Sequence, residues 1–297
     1  MPPAAAPVVA GPGPGEEAPR VRASPSARVA AKELGIRLEA VRGTGPGGAV
    51  SREDVERTAA EARARVAPLP AAAPRPAASG MRQAIAAAMA RSKREIPHYY
   101  LSTRIDLGRA LAWLREHNAP LGPAERLLPI ALLLRATALA VRKVPELNGY
   151  YVDGAFHPGA GVHLGLVISL REGGVVAPAL HDVDARSLAA LMGDVTDLIE
   201  RSRRGQLRSS ELSDATLTVT SLGERGVESV TGVIFPPQVA IVGFGKVVEV
   251  PVVDAGQVVV RPTVVATLAA DHRVSDGHRG GLFLAELERL LQAPEAL

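Results

Sequence analysis

Val264-Val265-Ala266-Thr267-Leu268 and, after two alanines, Asp271-His272-Arg273-Val274-Ser275-Asp276-Gly277 are the stretch on which the reading of this chain turns. A β-rich run predicts a strand. It is followed by a histidine, a Gly-containing turn and a helical pattern over roughly 277–292. A histidine there projects from the end of a rigid element, where an imidazole that titrates near neutrality can move a proton. Alone, His-x-x-x-Asp-Gly is a short pattern, and a histidine beside charged residues is more often structural than catalytic. A second segment adds to it. Thr216-Leu217-Thr218-Val219-Thr220 reads as a strand, and it runs through Ser221-Leu222 to a turn at Gly223 that presents hydroxyls.

Working outward, residues 81–297 read as one α/β domain. Residues 81–94 have helical spacing at Ile85, Met89 and Ser92, and 98–105 look like a strand. Leu127 to Val144 predicts a long apolar helix, placed centrally. Strands are expected at Val162 to Ile168, Gly174 to Pro178, Val239 to Val242 and Val258 to Leu268. A helix is expected from Ser187 to Arg203, with Ser187, Leu188, Leu191, Val195, Leu198 and Ile199 inward. His98 and His163 fall in strand-like segments and are read as packing or hydrogen-bonding residues, with no metal-ligand spacing.

The N-terminal part has a different character. Residues 1–20, rich in Pro, Ala and Gly, are expected to be a disordered arm. Residues 61–80, most strongly Val66 to Gly80, form a Pro/Ala linker. Between them, 21–60 form a small unit. Ser24-Pro25 starts a helix with Ala27, Val29, Ala30 and Leu34 as its apolar face, and Gly35 ends it. The loop Gly43-Thr44-Gly45-Pro46-Gly47-Gly48 leads to a second helix at Ser51-Arg52-Glu53-Asp54-Val55. Two short helices bury little surface, so the unit is expected to be a docking module.

Composition narrows the classes. Among 297 residues there are no cysteines, which removes disulfides, thiolate metal sites and a cysteine nucleophile. The formal charge is +3 and aromatics are 3%, an unfavourable composition for nucleic-acid binding. No apolar run is long enough to span a membrane and no signal peptide is legible, so a cytoplasmic protein is expected.

These segments resemble, in order and spacing, the catalytic domain of the dihydrolipoyl acyltransferases, the E2 components of 2-oxoacid dehydrogenase complexes, a family related to chloramphenicol acetyltransferase. The stretches that carry it include Met81-Arg82-Gln83-Ala84-Ile85, Ile96-Pro97-His98, Pro145-Glu146-Leu147-Asn148, Gly174-Val175-Val176-Ala177-Pro178, Thr218-Val219-Thr220-Ser221-Leu222-Gly223, Pro236-Pro237-Gln238-Val239-Ala240-Ile241 and Asp271-His272-Arg273. Residues 24–58 resemble the same family's peripheral subunit-binding domain. The resemblance implies a chloramphenicol-acetyltransferase-like two-layer α/β sandwich with a mixed sheet, plus a small helical domain. It implies His272 as general base, with acetyl-CoA or another acyl-CoA as co-substrate and no covalent cofactor. Thr220 stands 52 residues before His272, where the family has an oxyanion-binding serine. Ser221 is the adjacent alternative, turned to the other face by strand alternation. Asp276 is implied as a loop-holding residue. Asn148 and His278 are weaker candidates for the substrate site. The family's site lies between neighbouring subunits, so a homotrimer or a larger shell of trimers is implied.

Three departures bear on the acceptor. No lipoyl domain is legible, residues 1–20 being too short for one and lacking lysine. Ala49 stands where the family commonly has arginine, and His278 where it has a small residue. With these departures the chain resembles lipoyl-less members of the family that acetylate small-molecule alcohols, and the resemblance implies an acyltransferase that O-acetylates a small-molecule alcohol of natural-product, tetronate-like type. The alternative is a 2-oxoacid dehydrogenase E2 core served by a lipoyl domain in trans. A third reading, a non-catalytic scaffold docking a partner through 24–58, is disfavoured by His272, Asp276 and the hydroxyl at 220.

Overall fold

The computed structural model describes residues 21–65, 80–170, 174–223 and 226–297. The expected arm at 1–20 and most of the expected linker at 61–80 lie outside the described residues. The chain divides into two compact units, one carrying 21–65 and the other residues from 80 onward.

In the first unit, α1 (Pro25–Leu34) starts where Ser24 Oγ accepts a hydrogen bond from Ala27 N at 3.1 Å, with Pro25 at the position where a missing N–H costs nothing. It ends at Gly35 in the left-handed conformation, φ 65°. The second helix, α2 (Arg52–Arg65), opens on a reciprocal cap: Asp54 N donates to Ser51 Oγ and Ser51 N to Asp54 Oδ2. The same buried carboxylate accepts Thr44 N and Thr44 Oγ and pairs with Arg57, so it ties the Gly-rich loop to α2. The two backbone N–H donors, Ser51 first, hold Asp54 far below the usual carboxylate range. The core is Ala27, Ala30, Ala31, Val41, Val50 and Val55. Val29, expected on the inner face, is 58% exposed; Ala31, one turn on from Ala27, packs inward in its place.

The second unit is built on a mixed seven-stranded sheet. The strands are β1 (His98–Asp106), β4 (Leu164–Leu166), β7 (Ala179–Leu180), β8 (Leu217–Ser221), β9 (Ala240–Phe244), β10 (Val248–Asp254) and β11 (Gln257–Asp271). The order is β1-β11-β9-β8-β4-β7, with β10 on β11; β4, β8 and β9 are parallel and the other pairs antiparallel. Two small antiparallel pairs stand apart, β2 (Gly149–Val152) with β3 (Ala155–Pro158), and β5 (Ile168–Ser169) with β6 (Val175–Val176). The helices are α3 (Gly80–Glu95), α4 (Gly108–Asn118), α5 (Pro129–Lys143), α6 (Leu188–Arg203), the short α7 (Ser209–Ser213) and α8 (Gly277–Leu291).

One face of the sheet carries the main core. Leu217, Val219, Ala240, Val242, Val264, Ala266, Leu268 and Ala270 pack with α4, α5, α6 and α8, and α5 buries nine side chains as the central helix. The other face, read by alternation, presents Thr218, Ile241 and Ala269. Ile241 and Ala269 are covered by Ile96 and Ile234, from segments that carry no helix or strand of their own. The expected strand from Val162 to Ile168 is two: β4 stays in the main sheet and β5 leaves to pair with β6. The expected strand at Gly174 to Pro178 likewise divides, because Pro178 has no N–H for a ladder and separates β6 from β7. Helix α4 was not expected, although Leu107, Ala110, Leu111 and Leu114 have helical spacing.

Candidate active site

Strand β11 crosses the sheet between β1 and β9 and delivers Asp271 and His272 at its C-terminal end. Asp271 is fully buried. Its carboxylate accepts Arg273 N at 2.9 Å and pairs with Arg273 Nη2 at 2.6 Å. That pairing raises Arg273 above its ordinary range, and the guanidinium lies 3.9 Å from the centre of the Tyr151 ring. The backbone turns tightly, with Val274 N and Ser275 N both donating to Asp271 O. The residues flanking His272 are thus fastened to each other, and His272 N donates to Pro97 O at 2.9 Å. The imidazole is exposed, and among the described residues neither ring nitrogen is hydrogen-bonded. It meets the Tyr99 ring edge to face, with centroids 5.2 Å apart at 67°.

Asp276 caps α8: its Oδ1 accepts Arg279 N at 3.0 Å. That bond, with the His278 N–H and the nearby His278 and His272 rings, holds Asp276 below the usual carboxylate range. Arg279 reaches back to Glu146 at 2.8 Å, so the first turn of α8 is tied to the segment before β2. His278 is exposed on that turn.

Thr220 sits near the end of β8, 7% exposed, sharing a face with Thr216 and Thr218. Thr218 Oγ donates to Gln238 Oε1 at 2.6 Å. Beside Thr220 on β9 is Gly243, where an added Cβ would lie 2.3 Å from Val230 O; only glycine lets the covering segment approach the sheet here. Ser221 is half-buried, with its side chain on the opposite face by alternation.

Thr220 and His272 are not brought together within one chain. Thr220 pairs with Gly243 and Gly243 with Thr267. Asp271 is four residues further along β11, so Thr220 and Asp271 are about 13 Å apart along the strands and about 10 Å across them. The structure places Asn148 at the His272 end. Its Oδ1 accepts Thr216 Oγ at 2.6 Å and its Nδ2 donates to Gly161 O at 2.9 Å, so its amide fastens the start of β2 to β8. His98 Nδ1 bonds Ile96 O and its Nε2 accepts Ile234 N, while His163 Nδ1 accepts Asp182 N. Tyr99, Tyr151 and the Asp271–Arg273 pair were not singled out in the sequence. Acid and base spaced either side of His272 were a visible signal; nothing local marks the tyrosines.

Residues 72–297 match the 2-oxoacid dehydrogenases acyltransferase (catalytic domain) family, and residues 21–56 match the e3 binding domain. The chain is 34% identical, over 99% of its length and 70% of the relative's, to a lipoamide acyltransferase component of a branched-chain alpha-keto acid dehydrogenase complex from Pseudomonas putida. Among solved structures it resembles the dihydrolipoamide acetyltransferase of Azotobacter vinelandii, with TM-score 0.69 and 29% identity over 73% of this chain and 90% of that one. The cubic core of a pyruvate dehydrogenase multienzyme complex gives TM-score 0.69 and 28% identity, over the same shares of each chain. With these matches, the mixed sheet packed on one face by α4, α5, α6 and α8, whose strand β11 runs into the His272 loop, is that of an acyltransferase. The chain belongs to the 2-oxoacid dehydrogenase acyltransferase family.

Proposed function

We propose that this chain transfers an acyl group between coenzyme A and a dihydrolipoyl dithiol, with His272 as general base and Thr220 of a second copy as oxyanion donor. The observation that carries the reading is a coincidence of spacing. The Azotobacter vinelandii acetyltransferase was investigated for the role of a serine, a histidine 52 residues on and an asparagine four beyond that in its catalytic mechanism. Thr220, His272 and Asp276 have the same spacings. The preference for a small-molecule alcohol is not carried by the relatives, which are lipoamide and dihydrolipoyllysine acyltransferases. The acceptor therefore becomes a thiol, and the runner-up reading becomes the principal one.

In this reading His272 takes the proton of the attacking thiol, and the thiolate adds to the thioester carbonyl. The Thr220 hydroxyl donates to the oxyanion as it forms. The intermediate then expels the other thiolate, which recovers the proton from His272. Asp276 holds the α8 end of the loop, and Asn148 and His278 belong to its surroundings rather than to the proton path. Ser221, with its side chain on the opposite face of β8, is the alternative donor.

Because Thr220 and His272 lie at opposite ends of one sheet, a site that uses both needs two copies, which supports a homotrimer or a larger multi-trimer assembly. An apolar face is available for assembly on the β10–β11 hairpin, where Val253, Val258 and Val260 are 75%, 74% and 65% exposed. Residues 21–60 are proposed as the docking module for another component of such a complex, 61–80 as a linker and 81–297 as the catalytic domain. No helix among the described residues is long and apolar enough to cross a membrane.

The test is mass spectrometry of products after incubation with acetyl-CoA and either dihydrolipoamide or a panel of alcohols. Acyl-dihydrolipoamide as the main product is expected. O-acylated alcohols, with dihydrolipoamide untouched, would restore the first reading.

A further inference from the structure

We infer that Tyr99 is a positioning residue for the His272 imidazole, an inference that rests on His272 being the base. One backbone pairing and two side-chain contacts fix Tyr99. Its backbone pairs with Ala270 on β11, immediately before the histidine loop. Its hydroxyl is 2.8 Å from Ser275 Oγ, three residues after His272, and Ser275 is buried. The ring also occupies space that exists because residue 280 is glycine: a Cβ there would lie 3.1 Å from Tyr99 Cε2. The ring so held meets the His272 ring edge to face at 5.2 Å.

The consequence follows from what else constrains His272. Its backbone is fixed by Pro97 and by the Asp271–Arg273 pair, but among the described residues no hydrogen bond orients its ring. Among the described residues the Tyr99 ring is therefore a contact that limits rotation of the imidazole. A base must keep its acceptor nitrogen within hydrogen-bond reach of the thiol, and displacement on the order of 1 Å can cost up to about a hundredfold. Burial also pushes the Tyr99 phenol above its ordinary range, so it stays neutral and keeps its bond to Ser275.

The experiment compares Tyr99→Leu and Tyr99→Met, which remove the ring, with Tyr99→Phe, which keeps it, all in the full chain with acetyl-CoA and dihydrolipoamide. The ring-less variants should lower kcat by about tenfold or more at unchanged KM for acetyl-CoA, and Tyr99→Phe should recover kcat to within about threefold. Combined with His272→Ala, loss of the ring should slow the reaction no further, because Tyr99 acts through that imidazole. Full kcat in both ring-less variants overturns the inference. So does a further drop in the double variant, or a loss in kcat that follows a lowered melting temperature and is not recovered by phenylalanine. A His272→Ala protein with normal turnover would instead sink the reading of His272 as base, so the two failures are distinguishable.

Discussion

Thr220, buried near the end of β8, and His272, exposed just past the end of β11, stand at opposite ends of one sheet, two strands apart and five residues apart in register. A composite site therefore has a genetic signature. His272→Ala and Thr220→Val should each be nearly inactive alone, yet co-expressed chains should regain activity, because interfaces that pair an intact His272 with an intact Thr220 form by mixing. Random assembly gives about one such interface in four. Turnover measured on co-purified mixed oligomers checks this, and mixtures no better than either parent would mean that both groups act within one chain.

At residue 220 the hydroxyl should matter more than the shape. Thr220→Val keeps the branched side chain on the buried face of β8 and removes only the donor. It should lower kcat by about a hundredfold, the usual loss for one oxyanion donor. Thr220→Ser should be close to wild type. Ser221→Ala, on the other face, should change kcat little; the reverse pattern in steady-state kinetics would move the donor to Ser221.

His98 gives the unit a pH dependence of known sign. Burial, reinforced by the Lys93 charge, holds its imidazole below the ordinary histidine value of 6.5, against the opposing influences of Ile96 O and Asp271. The neutral ring is needed because Nε2 accepts the Ile234 N–H. Above the unfolded value both states are neutral and the stabilisation is complete. As the pH falls through that value toward the lower folded one, only the unfolded chain binds the proton, so stability is lost. Urea midpoints should therefore fall more steeply between about pH 7 and about pH 5 for wild type than for His98→Gln, which can still accept from Ile234. Equal slopes would remove His98 from the account.

Deleting residues 1–79 should leave acyl transfer to free dihydrolipoamide unchanged, because the unit from residue 80 onward has its own core. Flux through a reconstituted 2-oxoacid dehydrogenase complex, which must gather its other components, should fall. Comparing the two assays on full-length and shortened protein separates catalysis from docking. An equal fall in both would place part of the catalytic machinery in the deleted segment.

The helix caps of the small unit could be read from sequence because each is local: Ser24 and Gly35 act on residues within one turn of themselves. The long apolar α5 and the strand before His272 were legible for the same reason, since burial on one or both faces imposes its period on the chain. Val29 and the divided strands β4/β5 and β6/β7 were not, because which apolar residue turns inward, and where a strand leaves its sheet, depend on partners far along the chain. The site divides along the same line. Sequence by itself determined the chemistry available at the end of β11: an imidazole between an acid and a base, with a carboxylate four residues on and a helical pattern after it. Only the tertiary structure decided how that imidazole is held and what it can reach. The ring of Tyr99 comes from a strand 173 residues earlier in the chain, and Thr220 is kept at the far end of the sheet by a hydrogen-bond register that spans three strands.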